Sequence, residues 1–207
     1  MKTEELWRVF CAIELPPHLR ERAAEHSARL RAAMPEVRAS WDRAEKLHLT
    51  IKFLGEIEPY RVQLLEQAAE RVGSEAEPFE LVLEGTGAFP PRGLPKVLWL
   101  GIKDPAGALL GLQRSLEETC AAAGFPRETR PFHPHLTLAR LRTPHGARRL
   151  ATLHMKTLFQ PARFPVTDLL VIRSELGPGG SRYTELSRHR LGQRETINAT
   201  RGSTNTE

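Results

Sequence analysis

The sequence predicts an α+β fold with mostly antiparallel sheets, and three observations carry that reading. Runs rich in Val, Ile, Phe and Leu read as strands, and Ala-, Arg- and Glu-rich stretches read as helices, but the two do not alternate as regular βαβ units would require. Pro or Gly punctuates most of the boundaries. An apolar run also occurs twice, as His48-Leu-Thr-Ile-Lys-Phe-Leu54 and His135-Leu-Thr-Leu-Ala-Arg-Leu141, with starts 87 residues apart.

Residues 7–15 form the first expected strand, stopped by Pro16-Pro17. Proline suits a helix start, so a helix is expected over 17–33, ending before Pro35. Strands follow at 37–41 and 48–54, then a helix over 59–72 with Gly73 as its C-terminal cap. Strands are expected at 78–86 and 96–103, joined by the Pro/Gly-rich segment 89–95. The second half runs in similar order: a helix from 105 to 123 ending at Gly124, the strand 135–141, a short helix or turn at 145–157, and strands at 163–175 and 182–190. Each half thus holds several strands, helices and one His-x-Thr strand. Residues 1–190 read as a single two-lobed domain, and 191–207 as a polar, disordered tail.

Hydrophobic content of 40% and charged content of 27% are ordinary for a globular domain, and 207 residues can bury a sizeable core. No apolar run approaches the roughly 20 residues that span a bilayer, and the first 20 lack a signal-peptide core. A cytoplasmic protein without membrane contact is therefore expected. Cys11 and Cys120 lie far apart without metal-ligand spacing, so a disulfide framework is not expected, and Cys11 reads as buried. The net charge of +5 is built from 24 Arg and only six Lys. Guanidinium groups suit bidentate contacts to phosphate, although many of these Arg lie on helices where they simply meet solvent.

The repeat carries the chemistry. Side chains alternate along a strand, so His48 and Thr50 share one face while Leu49 and Ile51 share the other. His135 and Thr137 are related in the same way. Two such strands brought together would place two imidazoles and two hydroxyls around one ligand, with apolar backs to bury. An unperturbed imidazole titrates near pH 6.5, so one can donate a proton while the other accepts one.

These motifs, with their flanks, resemble the 2H phosphoesterases. Within that superfamily the chain is similar to the LigT-like RNA 2′,3′-cyclic phosphodiesterases. The resemblance rests on Arg8-Val-Phe-Cys-Ala-Ile-Glu-Leu-Pro16, His48-Leu-Thr-Ile-Lys-Phe-Leu-Gly55, Pro134-His135-Leu-Thr-Leu-Ala-Arg140 and the closing Ser174-Glu-Leu…Gly-Ser-Arg-Tyr183. It implies two lobes related by a pseudo-twofold, with mostly antiparallel sheets flanking a central cleft and helices on the outer faces. It also implies hydrolysis of RNA or nucleoside 2′,3′-cyclic phosphate to the 2′-phosphate by a monomer without cofactor, metal or obligate protein partner. By that analogy His48 is the proton donor to the departing 3′ oxygen and His135 the proton acceptor from water. Thr50, Thr137 and Arg140 would bind the phosphate. Strand parity disagrees at Arg140, five residues after His135, unless the strand ends or bulges before it. Two other readings stay open: 2′-5′ RNA end joining by the same groups, and RNA-end binding without turnover.

Other residues carry weaker expectations. His133 and His135 form a His-x-His that could ligate zinc, but no third ligand has the spacing and Pro134 interrupts the strand. Lys52 shares parity with His48 and could line the cleft; Phe53 and Trp41 read as core. Phe89, Arg92 and Tyr183 could edge the cleft. His18, His26, His145, His154 and His189 lack a motif and read as surface residues.

Overall fold

The computed structural model describes residues 6–177 and 180–193. Its strands are β1 (Trp7–Glu14), β2 (Ala39–Trp41), β3 (His48–Ile57), β4 (Phe79–Phe89), β5 (Val97–Lys103), β6 (His135–Leu141), β7 (Ala162–Val166), β8 (Asp168–Gly177) and β9 (Gly180–Arg190). The helices are α1 (Pro17–Ala33), α2 (Val62–Glu75), α3 (Ala108–Ala122) and α4 (Ala147–Lys156). All the strands join one curled antiparallel sheet in the order β7-β4-β5-β6-β3-β1-β8-β9, with β2 pairing the far end of β6. The α+β expectation holds, and the centre of that order lies between the two His-x-Thr strands.

The lobes are not the two halves of the chain. One lobe is β9-β8-β1-β3 and the other is β6-β5-β4-β7, so strands from both ends of the sequence complete the first. The expected single strand at 163–175 is two strands for this reason. β7 pairs β4 in one lobe, and after Thr167 the chain enters β8, which pairs β1 in the other. Helices cross in the same manner: α1 packs on β6 and α4, while α3 packs on β3 and α2.

β1 is buried on both faces, which explains its unbroken apolar run. Val9, Cys11 and Ile13 enter the main core, whereas Phe10 and Ala12 join Leu170 and Ile172 on the opposite face. The buried stripe of α1 runs Leu19, Ala23, His26, Leu30, at helical spacing. Gly73 does not cap α2, which continues to Glu75. It is a close-approach glycine: a Cβ there would lie 3.2 Å from Cβ of His189, and its carbonyl accepts from the Gly192 N–H at 3.1 Å. Leu191, the first residue of the expected tail, is core, with its N–H donating to the Thr167 carbonyl at 2.8 Å. Residues 194–207 of that tail lie outside the described residues.

His26 and His154 are fully buried rather than at the surface. Nε2–H of His154 donates to the Trp99 carbonyl at 3.0 Å, which leaves its Nδ1 to accept from Nε2–H of His26 at 3.0 Å. Burial, then the neighbouring His154 and Arg29, push His26 down to about 4; burial also lowers His154. An unfolded histidine binds a proton near pH 6.5, so this pair contributes stability that is fully present above that pH and lost as pH falls toward 4. The unfolding free energy from urea titration is expected to drop across that window, by roughly 1.4 kcal/mol per pH unit for each proton taken up. A His154→Gln variant should flatten the dependence.

Candidate active site

The two His-x-Thr strands meet at one bridge, Leu49 opposite Leu136. These are equivalent residues of the two motifs, so the local twofold passes between them. Both leucines are fully buried, and the antiparallel register directs His48 toward Thr137 and Thr50 toward His135. The sequence expectation of two imidazole–hydroxyl pairs on one face is therefore met.

Each imidazole is held in the same way. Nδ1–H of His48 donates to the Lys46 carbonyl at 2.7 Å, and Nδ1–H of His135 donates to the His133 carbonyl at 2.7 Å. A carbonyl only accepts, so in the neutral rings the second proton is absent from Nε2. Nε2 of His48 then accepts from the Thr50 hydroxyl at 3.1 Å. The first tether comes from a short helical turn at Ala44–Lys46, the second from the His133-Pro134 segment just ahead of β6.

Aromatic rings fix the imidazole planes. Phe10 stacks on His48 with centroids 4.7 Å apart, and Tyr183 meets its edge at 5.2 Å. Phe89 meets His135 edge-on at 5.0 Å, and Trp99 lies 6.3 Å away. Trp99 carries no sequence signal and Phe10 only that of the Arg8–Pro16 stretch, whereas Tyr183 and Phe89 fall where the cleft edge is expected. Trp99 covers Gly87 so closely that no Cβ fits there.

A bulge settles the parity of Arg140. Leu98 pairs Ala139 while Trp99 pairs Thr137, so Leu138 is an extra residue in β6 and the strand beyond it is turned over. Arg140 returns to the face of His135, and its charge reaches His48, His135, Asp42 and Tyr183. An equivalent bulge at Ile51 in β3 turns Lys52 inward. It leaves the face of His48 and is buried, with Nζ 2.7 Å from Oε2 of Glu117 and 3.0 Å from the Pro126 carbonyl, and from there it lines the inner wall of the cavity beside Thr50 and His135. Phe53, expected in the core, is 41% exposed at the position equivalent to Arg140, with the Arg8 guanidinium 4.6 Å over its ring.

Burial pushes both histidines below their ordinary value. The carbonyl bond opposes this in each case, and the Arg140 guanidinium adds to the lowering in both. A bound phosphodiester would bring the opposite charge and raise them again. Beside Thr50 and His135 a cavity of about 370 Å³ is walled by Phe53, Phe89 and Phe132, with Gln113 and Arg130 among its polar lining. Among the described residues, no three His, Cys, Asp or Glu side chains cluster as a metal ion would require, and no helix is long and apolar enough to cross a membrane.

Residues 15–178 match the model of the 2′-5′ RNA ligase superfamily. The chain is 32% identical to the RNA 2′,3′-cyclic phosphodiesterase of Methanothermobacter thermautotrophicus, covering 89% of this chain and 98% of the relative. It is also 32% identical to the Escherichia coli protein of that name, over 90% and 97% of the two chains. Among solved structures, TT0787 of Thermus thermophilus aligns with a TM-score of 0.73 at 29% identity, over 89% of this chain and 98% of that one. Escherichia coli LigT complexed with 3′-AMP aligns at 0.70 and 31% identity, over 91% and 100%. From a family match across most of the sequence, and relatives alike in sequence and fold over almost their full length, it follows that the chain belongs to the 2′-5′ RNA ligase superfamily, the 2H phosphoesterases.

Proposed function

We propose that the protein hydrolyses RNA or nucleoside 2′,3′-cyclic phosphate to the 2′-phosphate, with two histidines as acid and base and no metal. One observation supports this above the others: two equivalent imidazoles, each tethered through Nδ1 to a carbonyl two residues earlier, keep Nε2 as the atom for proton transfer, with that of His48 held by the Thr50 hydroxyl that would turn to the phosphate. The names of the relatives support the substrate class.

In this mechanism His135 Nε2 takes a proton as water attacks phosphorus. The bond from phosphorus to the 3′ oxygen breaks, and His48 gives its Nε2 proton to that oxygen. Each transfer contributes roughly 10²–10⁴-fold. Thr50, Thr137 and Arg140 hold the charge that builds on the non-bridging oxygens of the pentavalent state, where preorganised donors act most strongly. The cavity beside His135 has ring faces that would take the nucleoside. The turnover leaves His135 charged and His48 neutral, and proton exchange with solvent resets them.

The test is incubation with a nucleoside 2′,3′-cyclic phosphate in EDTA, with the product isomer identified. A 2′-phosphate is expected; a 3′-phosphate, or turnover only with added metal, would overturn the mechanism. The superfamily's name gives the reverse reaction a claim, since the same groups would join a cyclic end to a 5′-hydroxyl. Adding 5′-hydroxyl RNA and looking for a 2′-5′ linkage measures its share.

Arg140 serves two purposes in this reading, and a pH profile separates them. Arg140→Gln is expected to lower kcat/KM on the order of 10²-fold by removing a phosphate donor. It also removes a cation that disfavours protonated imidazole, so both histidines rise. The acid limb, set by the base, and the alkaline limb, set by the acid, should both move to higher pH.

A further inference from the structure

We infer that the groove between the C-terminal end of α1 and the β2 edge binds the single-stranded RNA chain leading into the cleft, so that RNA ends rather than free cyclic nucleotides are the preferred substrate. This rests on the phosphodiesterase reading above and extends it from the reacting nucleotide to its neighbours.

The groove encloses about 800 Å³ and is lined by Arg31, Arg38, Arg142 and Trp41, with Ala28 and Pro35 between them. It adjoins the cleft through the strands themselves. Ser40 on β2 lies opposite Arg140, and the ladder continues as the Arg142 N–H donates to the Arg38 carbonyl at 2.9 Å. Arg142 is two residues beyond Arg140 and so about 7 Å further along the same face. Its Nε donates to the Ser40 hydroxyl at 2.7 Å, which orients the guanidinium at this edge.

The charges are what call for a ligand. Arg38 and Arg142 are cross-strand neighbours of like sign, an arrangement that destabilises a sheet unless an anion lies between. Among the described residues Arg31, Arg38 and Arg142 form no ion pair; the nearby Glu36 is taken by Arg149 at 4.0 Å. Arg31 gains something from the α1 dipole as a last-turn cation, but that leaves the strand pair uncompensated. Trp41 is half-buried against Leu30, Val37 and Leu98, which leaves part of the indole in the groove. Guanidiniums without an ion-pair partner on one face of the β2 edge, and part of an indole reaching the groove from the other, suit the phosphates and bases of a single strand that wraps that edge. An acidic protein segment would use the charges but has less need of the ring.

The test compares cytidine 2′,3′-cyclic phosphate with a single-stranded RNA octamer ending in the same group, for wild type and R31A/R38A/R142A. All three side chains are exposed, so the variant is expected to fold. Its kcat/KM on the octamer should fall at least tenfold and on the mononucleotide less than twofold. The slope of log kcat/KM against log salt on the octamer should become shallower by about 2, near 0.7 for each lost contact. Octamer binding, measured directly in parallel, should weaken by a similar factor. Unchanged octamer turnover, binding and salt slope would overturn the groove while leaving the hydrolase reading intact. Absence of turnover on either substrate would instead count against the hydrolase reading, and the binding measurement would still decide the groove. If a polyglutamate peptide bound as tightly as the octamer and lost the same factor, the surface would be a protein-docking face and the RNA assignment would fall.

Discussion

His48→Ala and His135→Ala are each expected to lower kcat for cyclic-phosphate hydrolysis by about 10²–10⁴-fold, the range for one lost proton transfer. Groups acting in one step are not additive, so the double variant should fall well short of the product of the two losses. The pH profile then assigns the roles. If His135 is the base, its loss removes the acid limb of the bell while the alkaline limb stays; loss of His48 removes the alkaline limb. Limbs lost in the opposite order would reverse the assignment. Ring packing confounds the alanine variants, most of all at His48, which stacks on Phe10 at 4.7 Å and meets Tyr183 at its edge, whereas His135 meets Phe89 edge-on at 5.0 Å. A His48→Gln variant fills more of that space, so a matching loss in Gln and Ala would tie the effect to the imidazole rather than to a gap. Activity within tenfold of wild type in both single variants would sink the mechanism.

Lys52→Met is expected to cost about 3–5 kcal/mol of stability, the effect of removing one partner of a buried ion pair. The side chains of Lys52 and Glu117 are only 1% and 12% exposed. Without the ammonium, Oε2 of Glu117 would keep only the Glu128 N–H at 3.3 Å, and Oε1 already lacks a partner. Replacing both residues, as Lys52→Met with Glu117→Leu, should recover most of the loss, since apolar pairs of similar volume often match a buried ion pair. Urea unfolding of the two singles and the double gives the coupling energy directly. A Lys52→Met cost below about 1 kcal/mol would mean that water reaches the carboxylate. Activity should not recover with stability in the double variant. The pair also holds the Pro126 carbonyl and the Glu128 N–H, the start of the segment that ends in the His133 carbonyl tether.

Lys52 also shows where reading the residues stops. β6 at 135–141 and α1 at 17–33 match the expected limits, because Pro134 sets the start of one apolar run and Pro16-Pro17 and Pro35 bracket one Ala-, Arg- and Glu-rich stretch. The face shared by His48 and Thr50 follows from strict alternation over three residues. The bulges at Ile51 and Leu138 break that alternation, and no residue type announces them, since neither position is a glycine. The inward Lys52, the outward Phe53 and the returned Arg140 all follow from those two extra residues. Thr167 hid the strand exchange in a different way: one continuous β-rich run serves two lobes, and only tertiary pairing divides it. His26 was open to a better reading, because it falls on the stripe of Leu19, Ala23 and Leu30. Its partner His154, whose own Nε2–H donates to the Trp99 carbonyl, lies far along the chain and was not.

The exchange of strands between lobes bears on how the protein comes into being. β3 carries the first histidine and pairs with β1, yet β8, which flanks β1, begins at Asp168. A chain emerging from the ribosome would have both imidazoles synthesised well before the strand that secures the first of them. Pairing over such separations is slow relative to local structure, and it denies either half of the sequence an independent existence. Nascent or truncated chains should therefore be inert toward RNA, and activity should arrive in one cooperative event once the last strands are in place.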